Sequence, residues 1–261
     1  ILLLYPPSKD DKTREILFIR KSDNHTKVWE GEKLSRKQAN ELSGINSIYY
    51  IDDFKDILSS IATKVDTFYI NKNEHYRANS PVETREDRFI SWLLKNYPAH
   101  NVAKSNPILQ RQRSIKHPDE IDQIKKACNI TRKGFNRVLE FIKPNVWEYE
   151  IEAEFIHEFI NSSSKGFAYS PIIASGNDNN VLHYIKNNKQ CKSGELILMD
   201  VGAEYGNYSS DMTRTVPVSG KFSKRQKEIY NAVLRVKNEA TKLLTVGNNW
   251  KLFHEQVGEI M

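Results

Sequence analysis

Two acids, Asp200 and Asp211, stand beside runs that otherwise read as apolar strand. Glu195-Leu-Ile-Leu-Met199 precedes the first, and Met212-Thr-Arg-Thr-Val216 follows the second. Gly206 between them offers the backbone freedom of a tight turn. A hairpin turning at Tyr205-Gly206 sets Asp200 directly opposite Asp211, with Cβ atoms about 5 Å apart. Two carboxylates at that distance repel by about 3 kcal/mol at an effective dielectric of about 20. Either one acid stays protonated or a cation lies between them, and hard carboxylate oxygens suit a divalent ion. The other reading is a bulge that breaks the register and leaves both acids facing solvent or Arg214.

Three further residues stand near these acids in the strand-like segments or the runs beside them. His183, in Val181-Leu-His-Tyr184, reads by itself as a hydrogen-bonded core residue, although an imidazole also suits proton relay near neutral pH. Tyr169, in the strand-like run Ala168–Ala174, reads by itself as a strand-face packing residue. Thr213, two residues beyond Asp211, shares its strand face and could support it.

The elements that position these residues fall into two regions. In the first, short apolar runs at Ile1–Leu4, Glu15–Arg20, Ser47–Ile51 and Thr67–Ile70 read as strands. Between and after them, Ser35 to Gln38 forms a capping box with Gly44 as the helix stop, and Asp53–Ala62 and Pro81–Tyr97 read as helices. Strand–helix alternation predicts an α/β domain over residues 1–114. Residues 98–118, with Pro98, Pro107 and Pro118, read as a linker.

The region 115–261 has a different order. Pro118 opens a helix whose apolar face is read as Ile121, Ile124, Cys128, Phe135, Val138 and Ile142. Asn145 and Glu148 suggest a capping box for a second helix striped by Ile151, Phe155 and Phe159. Strands follow at Ala168–Ala174, Val181–Tyr184, Glu195–Glu204 and Ser209–Val218. Ser223 to Gln226 caps a helix to about Leu244, and a last helix runs over about 249–261. This order predicts α+β, an antiparallel sheet covered by helices.

Composition narrows the class. The 261 residues are 39% hydrophobic and 28% charged, with formal net charge +6. No apolar run approaches the roughly 18 residues of a membrane span, so no membrane partner is expected. Lysines and arginines are interleaved with acids and form no basic block with aromatics, so no nucleic-acid partner is expected either. Cys128 and Cys191 lack CxxC spacing and fit reduced thiols in a cytoplasmic protein. The chain begins at Ile1 rather than Met, which suggests either processing or, in preference, a piece of a longer protein.

Several ordered segments carry a resemblance: Ile173-Ala-Ser-Gly-Asn177, Val181-Leu-His-Tyr184, Leu198-Met-Asp-Val-Gly-Ala-Glu-Tyr205 and Asp211-Met-Thr-Arg-Thr215. They resemble the creatinase/methionine-aminopeptidase ("pita-bread") metallopeptidases. Val216-Pro-Val-Ser-Gly-Lys-Phe-Ser223 with Gln226, Ile229 and Tyr230 looks most like the aminopeptidase P branch. The likeness is close over about 112–261, including the junction Ile115-Lys-His-Pro-Asp-Glu-Ile121, and holds only in pattern over 1–97.

The resemblance implies hydrolysis of the bond between an N-terminal residue and a following proline. It implies two divalent metal ions, manganese first and cobalt or zinc otherwise, held by two Asp, one His and two Glu. Asp200 matches a terminal ligand and Asp211 one shared by both ions, with a bridging hydroxide as nucleophile. His183 matches a histidine that hydrogen-bonds near the reacting amide, and Tyr169 a tyrosine near the substrate pocket. The other three ligands belong to a later part of the family's catalytic domain, of which this chain carries only the first half. His25, His75, His100, His117, His157 and His254 do not match them.

Several expectations follow from the missing half. The stretch 1–261 alone lacks peptidase activity, because two carboxylates without their partners make a poorly preorganised site. An apolar sheet face is left exposed, favouring association, and a homo-oligomer, dimer or tetramer, is expected. Peptides with proline in second position are the expected partners. Prolidase and a non-catalytic binding protein on the same fold are the competing readings.

Overall fold

The computed structural model describes residues 1–6, 9, 14–72 and 81–261, so His75 lies outside the described residues. The chain divides into two compact units, Ile1–Ile115 and Lys116–Met261.

The first unit is α/β. Strands β1 (Leu2–Leu4), β2 (Glu15–Ile19) and β3 (Ser47–Tyr50) form a sheet in which β1 and β2 are antiparallel and β2 and β3 parallel. The parallel step is bridged by helices α1 (Asn24–Glu30) and α2 (Arg36–Ser43). The capping box of α2 is present in both directions between Ser35 and Gln38, and Gly44 ends it in the left-handed conformation. Helix α3 (Phe54–Ala62), strand β4 (Thr67–Ile70) and helix α4 (Arg85–Asn96) follow. Their core gathers Ile16, Phe18, Phe54, Leu58, Ile61, Phe68 and Leu93.

The predicted linker is instead structured. Asn101–Lys104 forms β5, parallel to β4, and Asn106–Ser114 forms α5. Pro107 sits at the start of that helix, where a proline loses no intrahelical bond, so it opens an element rather than breaking one.

The second unit is α+β. Helices α6 (Pro118–Phe141) and α7 (Glu148–Asn161) pack on a sheet of β6 (Ile172–Ser175), β7 (Leu196–Val201) and β10 (Met212–Pro217), ordered β10-β7-β6 and antiparallel throughout. A short hairpin, β8 (Glu204–Tyr205) and β9 (Tyr208–Ser209), extends from β7, and helices α8 (Lys224–Lys242) and α9 (Trp250–Ile260) close the chain. Ile197, Met199 and Val201 alternate along β7 towards the helices and join Ile151, Phe155 and Phe159 in a core with no exposed member among these six. Each such side chain contributes about 1.5–3 kcal/mol by its burial.

Several sequence expectations shift here. The buried face of α6 is Ala127, Ile130, Thr131, Gly134, Phe135 and Val138, whereas Cys128 and Ile121 are exposed. Gly134 is required on this face because α7 crosses close by: a Cβ there would meet the Phe159 and Phe155 rings at 2.8 and 2.9 Å. Glu148 is no capping-box partner of Asn145; the acid that accepts the Trp147 backbone N–H is Glu150, at 2.7 Å. The Ala168–Ala174 strand starts only at Ile172, so Tyr169 lies in an irregular segment, and Val181–Tyr184 is a turn. The open side of β6 and β7 is covered in part by Tyr184, packed with Ile172, Ala174 and Leu198. Helices α8 and α9 bury no residue and leave Ile229, Val233 and Trp250 at 50, 62 and 72% exposure, and the loop beside Tyr184 leaves Leu182 at 87%.

Candidate metal and peptide site

Strand β7 is the middle strand of its sheet, and its alternation decides where Asp200 points. Ile197, Met199 and Val201 take the helix side, so Leu198 and Asp200 take the other. Asp200 pairs with Ile172 on one side and Thr213 on the other. The sequence register, which set Asp200 opposite Asp211, is therefore corrected by two residues. The hairpin turns at Gly206 and Asn207, both with positive φ (59° and 66°), one step later than predicted. Positive φ at both central residues is the geometry whose twist matches a two-residue hairpin. A two-residue slip preserves the face, so Asp211 still lies on the Asp200 side, as its diagonal neighbour.

Tyr169 joins the two acids. Its hydroxyl donates to Asp200 Oδ1 at 2.6 Å and reaches Asp211 Oδ1 at 3.3 Å. Burial, then the Asp200 carboxylate, raise the phenol pKa well above its ordinary value, so Tyr169 stays a donor. Asp200 is half-buried and Asp211 exposed.

The backbone beneath the pair depends on residues absent from the sequence reading. Gly202 has no room for a side chain: a Cβ there would lie 1.9 Å from the Ser210 carbonyl oxygen and 3.0 Å from the Tyr169 ring. Ser210 Oγ is 2.6 Å from Thr131 Oγ1, and the Ala203 N–H donates to both hydroxyls, at 3.0 and 2.9 Å. This buried cluster ties the residue before Asp211 to α6. Glu120, in the first turn of α6, accepts from the His117 N–H at 2.6 Å and from the Tyr208 hydroxyl at 2.7 Å, fastening the hairpin to the same helix.

His183 is exposed in the turn that ends at Tyr184, whose ring lies on the same sheet side as Asp200. The structure thus brings Tyr169, Asp200 and Asp211 into contact and places His183 on an adjoining loop. The donor set fits hard divalent cations: two carboxylates whose oxygens converge on one hydroxyl. Among the described residues no group of three or more His, Cys, Asp or Glu side chains comes together, so these two are the donors that the described chain offers an ion there.

Comparison with known proteins decides the family. Residues 122–261, more than half of the chain, match the model of metallopeptidase family M24, and residues 1–69 match the N-terminal domain of aminopeptidase P. The chain belongs to metallopeptidase family M24. It is 33% identical to the Xaa-Pro aminopeptidase of Haemophilus influenzae over 98% of its own length and 57% of that protein's. With human Xaa-Pro aminopeptidase 3 it shares 29% identity over 95% of this chain and 48% of that one. Among solved structures, one from Bacillus anthracis assigned as an aminopeptidase P superposes with TM-score 0.89 at 33% identity, covering 94% of this chain and 59% of that one. A zinc-substituted Escherichia coli aminopeptidase P in complex with product gives TM-score 0.84 at 28% identity, covering 95% and 56%. The chain therefore spans about half the length of these relatives, from 48 to 59%, with the pita-bread architecture in its second unit. Among the described residues no helix is long and apolar enough to cross a membrane.

Proposed function

We propose that this chain supplies the N-terminal domain and the first half of the catalytic domain of an Xaa-Pro aminopeptidase. The observation that carries the reading is the convergence of Asp200 and Asp211 on the Tyr169 hydroxyl, on one sheet face of an M24 fold. Asp200 and Asp211 would hold two divalent ions, manganese first. Such ions supply Lewis acidity and lower the pKa of water. Tyr169 orients both carboxylates and borders the peptide pocket. His183, exposed beside the same sheet face, hydrogen-bonds the reacting amide and relays its proton. Substrates are peptides with proline in second position. We place the protein in the cytoplasm, where its two free thiols stay reduced, and expect a homo-oligomer.

The test uses the polypeptide with the complete catalytic domain, stripped by chelation and reloaded with Mn²⁺, Co²⁺ or Zn²⁺. Xaa-Pro-Xaa tripeptides should be cleaved after the first residue and their Xaa-Ala counterparts spared. Asp200→Asn and Asp211→Asn should each abolish turnover and lower bound metal. Wild-type turnover by either variant refutes the metal assignment. Hydrolysis confined to Xaa-Pro dipeptides would turn the reading to prolidase.

A further inference from the structure

Glu148 has no solvent exposure, and neither the fold nor the two carboxylates of the candidate site account for it. It opens α7, yet its side chain turns away from the helix start and gathers four donors. Oε1 accepts from the Ser175 N–H at 2.8 Å and the Ser175 hydroxyl at 2.7 Å. Oε2 accepts from the Tyr184 hydroxyl at 2.7 Å and the Lys189 N–H at 3.0 Å. A buried carboxylate is expensive unless every lone pair is used, and here each oxygen takes two bonds.

Those donors mark three points of one loop. Ser175 is the last residue of β6, Lys189 lies where the chain returns beside Trp147, and Tyr184 is in the middle. The same ends are drawn together a second time, by Lys189 Nζ donating to the Ser175 carbonyl at 3.1 Å and the Glu148 N–H donating to the Lys189 carbonyl at 3.0 Å. One carboxylate therefore closes the base of the 176–188 loop and pins its midpoint. The residue immediately before that pinned midpoint is His183, exposed in a turn closed by the Tyr184 N–H on the Val181 carbonyl at 3.2 Å.

We propose that Glu148 is a positioning residue for His183, acting through the Tyr184 hydroxyl to hold the loop in its reactive placement. The inference rests on the reading of His183 as the group that meets the reacting amide. It explains why a buried acid stands at the N-terminus of α7, where a neutral side chain would fill the same space. A glutamine has that shape but turns its NH₂ group towards either the Ser175 pair or the Tyr184–Lys189 pair, setting donor against donor.

The test is a double-mutant cycle in the metal-loaded polypeptide with the complete catalytic domain. Glu148→Gln and Tyr184→Phe should each lower kcat about 10–100-fold, the size seen when the support of a functional group is removed, with KM and bound metal nearly unchanged. In a His183→Ala background neither substitution should lower kcat further, because the group they position is gone. Tyr184→Phe keeps the ring and the core contacts, so it decides the matter alone if Glu148→Gln does not fold. Equal losses in both backgrounds, or undiminished kcat when either substitution is made in the otherwise wild-type enzyme, overturn the proposal alone. A His183→Ala enzyme with undiminished kcat overturns it together with the reading it rests on.

Discussion

Gly202→Ala is the substitution that asks most of the site. The added methyl would lie 1.9 Å from the Ser210 carbonyl oxygen and 2.7 Å from its carbon, both backbone atoms, while ordinary contact begins at 3.4 Å. The 210 segment must retreat by about 1.5 Å, because β7 is held on both edges by β6 and β10 and cannot yield. That retreat pulls Ser210 away from Thr131 and from the Ala203 backbone, bonds of 2.6, 3.0 and 3.1 Å, all buried. Overpacking costs about 1–3 kcal/mol and each of the three lost buried bonds about 1 kcal/mol, so the second unit should lose about 4–6 kcal/mol.

Urea denaturation followed by tryptophan fluorescence reads the loss, with Gly258→Ala as the control. Gly258 lies in α9 with nothing within 4 Å of its would-be Cβ, so alanine there should stabilise by up to about 1 kcal/mol. Asp211 follows Ser210 directly, so the same retreat separates the two carboxylates. Mn²⁺ affinity, read by the spectrum of free Mn²⁺ in the polypeptide with the complete catalytic domain, should fall about 10–100-fold. A Gly202→Ala protein with wild-type midpoint and wild-type Mn²⁺ binding refutes the claim that this contact spaces the acids.

Two predictions concern groups away from the acids. Cys128 is exposed and Cys191 fully buried, with burial, then Glu148, pushing the Cys191 thiol up to about 11, so a thiol reagent at pH 8 should label Cys128 alone until the chain is unfolded. Tyr184 is likewise pushed up to about 12 by burial and then by its bond to Glu148, so both groups hold protons in the native chain that the unfolded chain releases. Stability conferred this way is complete below pH 9, the ordinary thiol value, and is lost as pH rises through 11 and 12. Each group should steepen the fall of unfolding free energy by up to about 1.4 kcal/mol per pH unit, and a flat profile from pH 9 to 12 would contradict it.

What could be read in the sequence, and what could not, divides by range. The Ser35–Gln38 cap, the Gly44 stop and the Pro118 helix start are satisfied within four residues, so spacing alone reveals them. Glu148 shows the limit: the capping pattern fits it locally, yet its partners are 27 to 41 residues away and nothing nearby announces them. Pro107 was misleading for a related reason, since the same residue ends one helix or begins another depending on what surrounds it. On α6 the apolar pattern pointed to Ile121 and Cys128, whereas contact with α7 left no room for a side chain at Gly134, and the hairpin took the buried Thr131 hydroxyl through Ser210 and Ala203. Hydropathy reports what a residue avoids; it does not report how close its neighbour comes.

The two acids survived an error in register because strand geometry has period two. Sliding the partner by two residues moves every pair and turns no side chain over, so Asp200 and Asp211 remained on the face away from the helices. The correction nevertheless alters the chemistry. Directly opposed, the carboxylates would have stood about 5 Å apart at Cβ, close enough to crowd any group between them; diagonal neighbours stand about 7–8 Å apart at Cα. That wider gap is spanned by the Tyr169 hydroxyl, 2.6 Å from one acid and 3.3 Å from the other. Thr213, small and exposed, faces Asp200 across the strands in the place first given to Asp211. The acids are thus spaced to share a third party, and it is the spacing, more than their mutual repulsion, that identifies them as a binding pair.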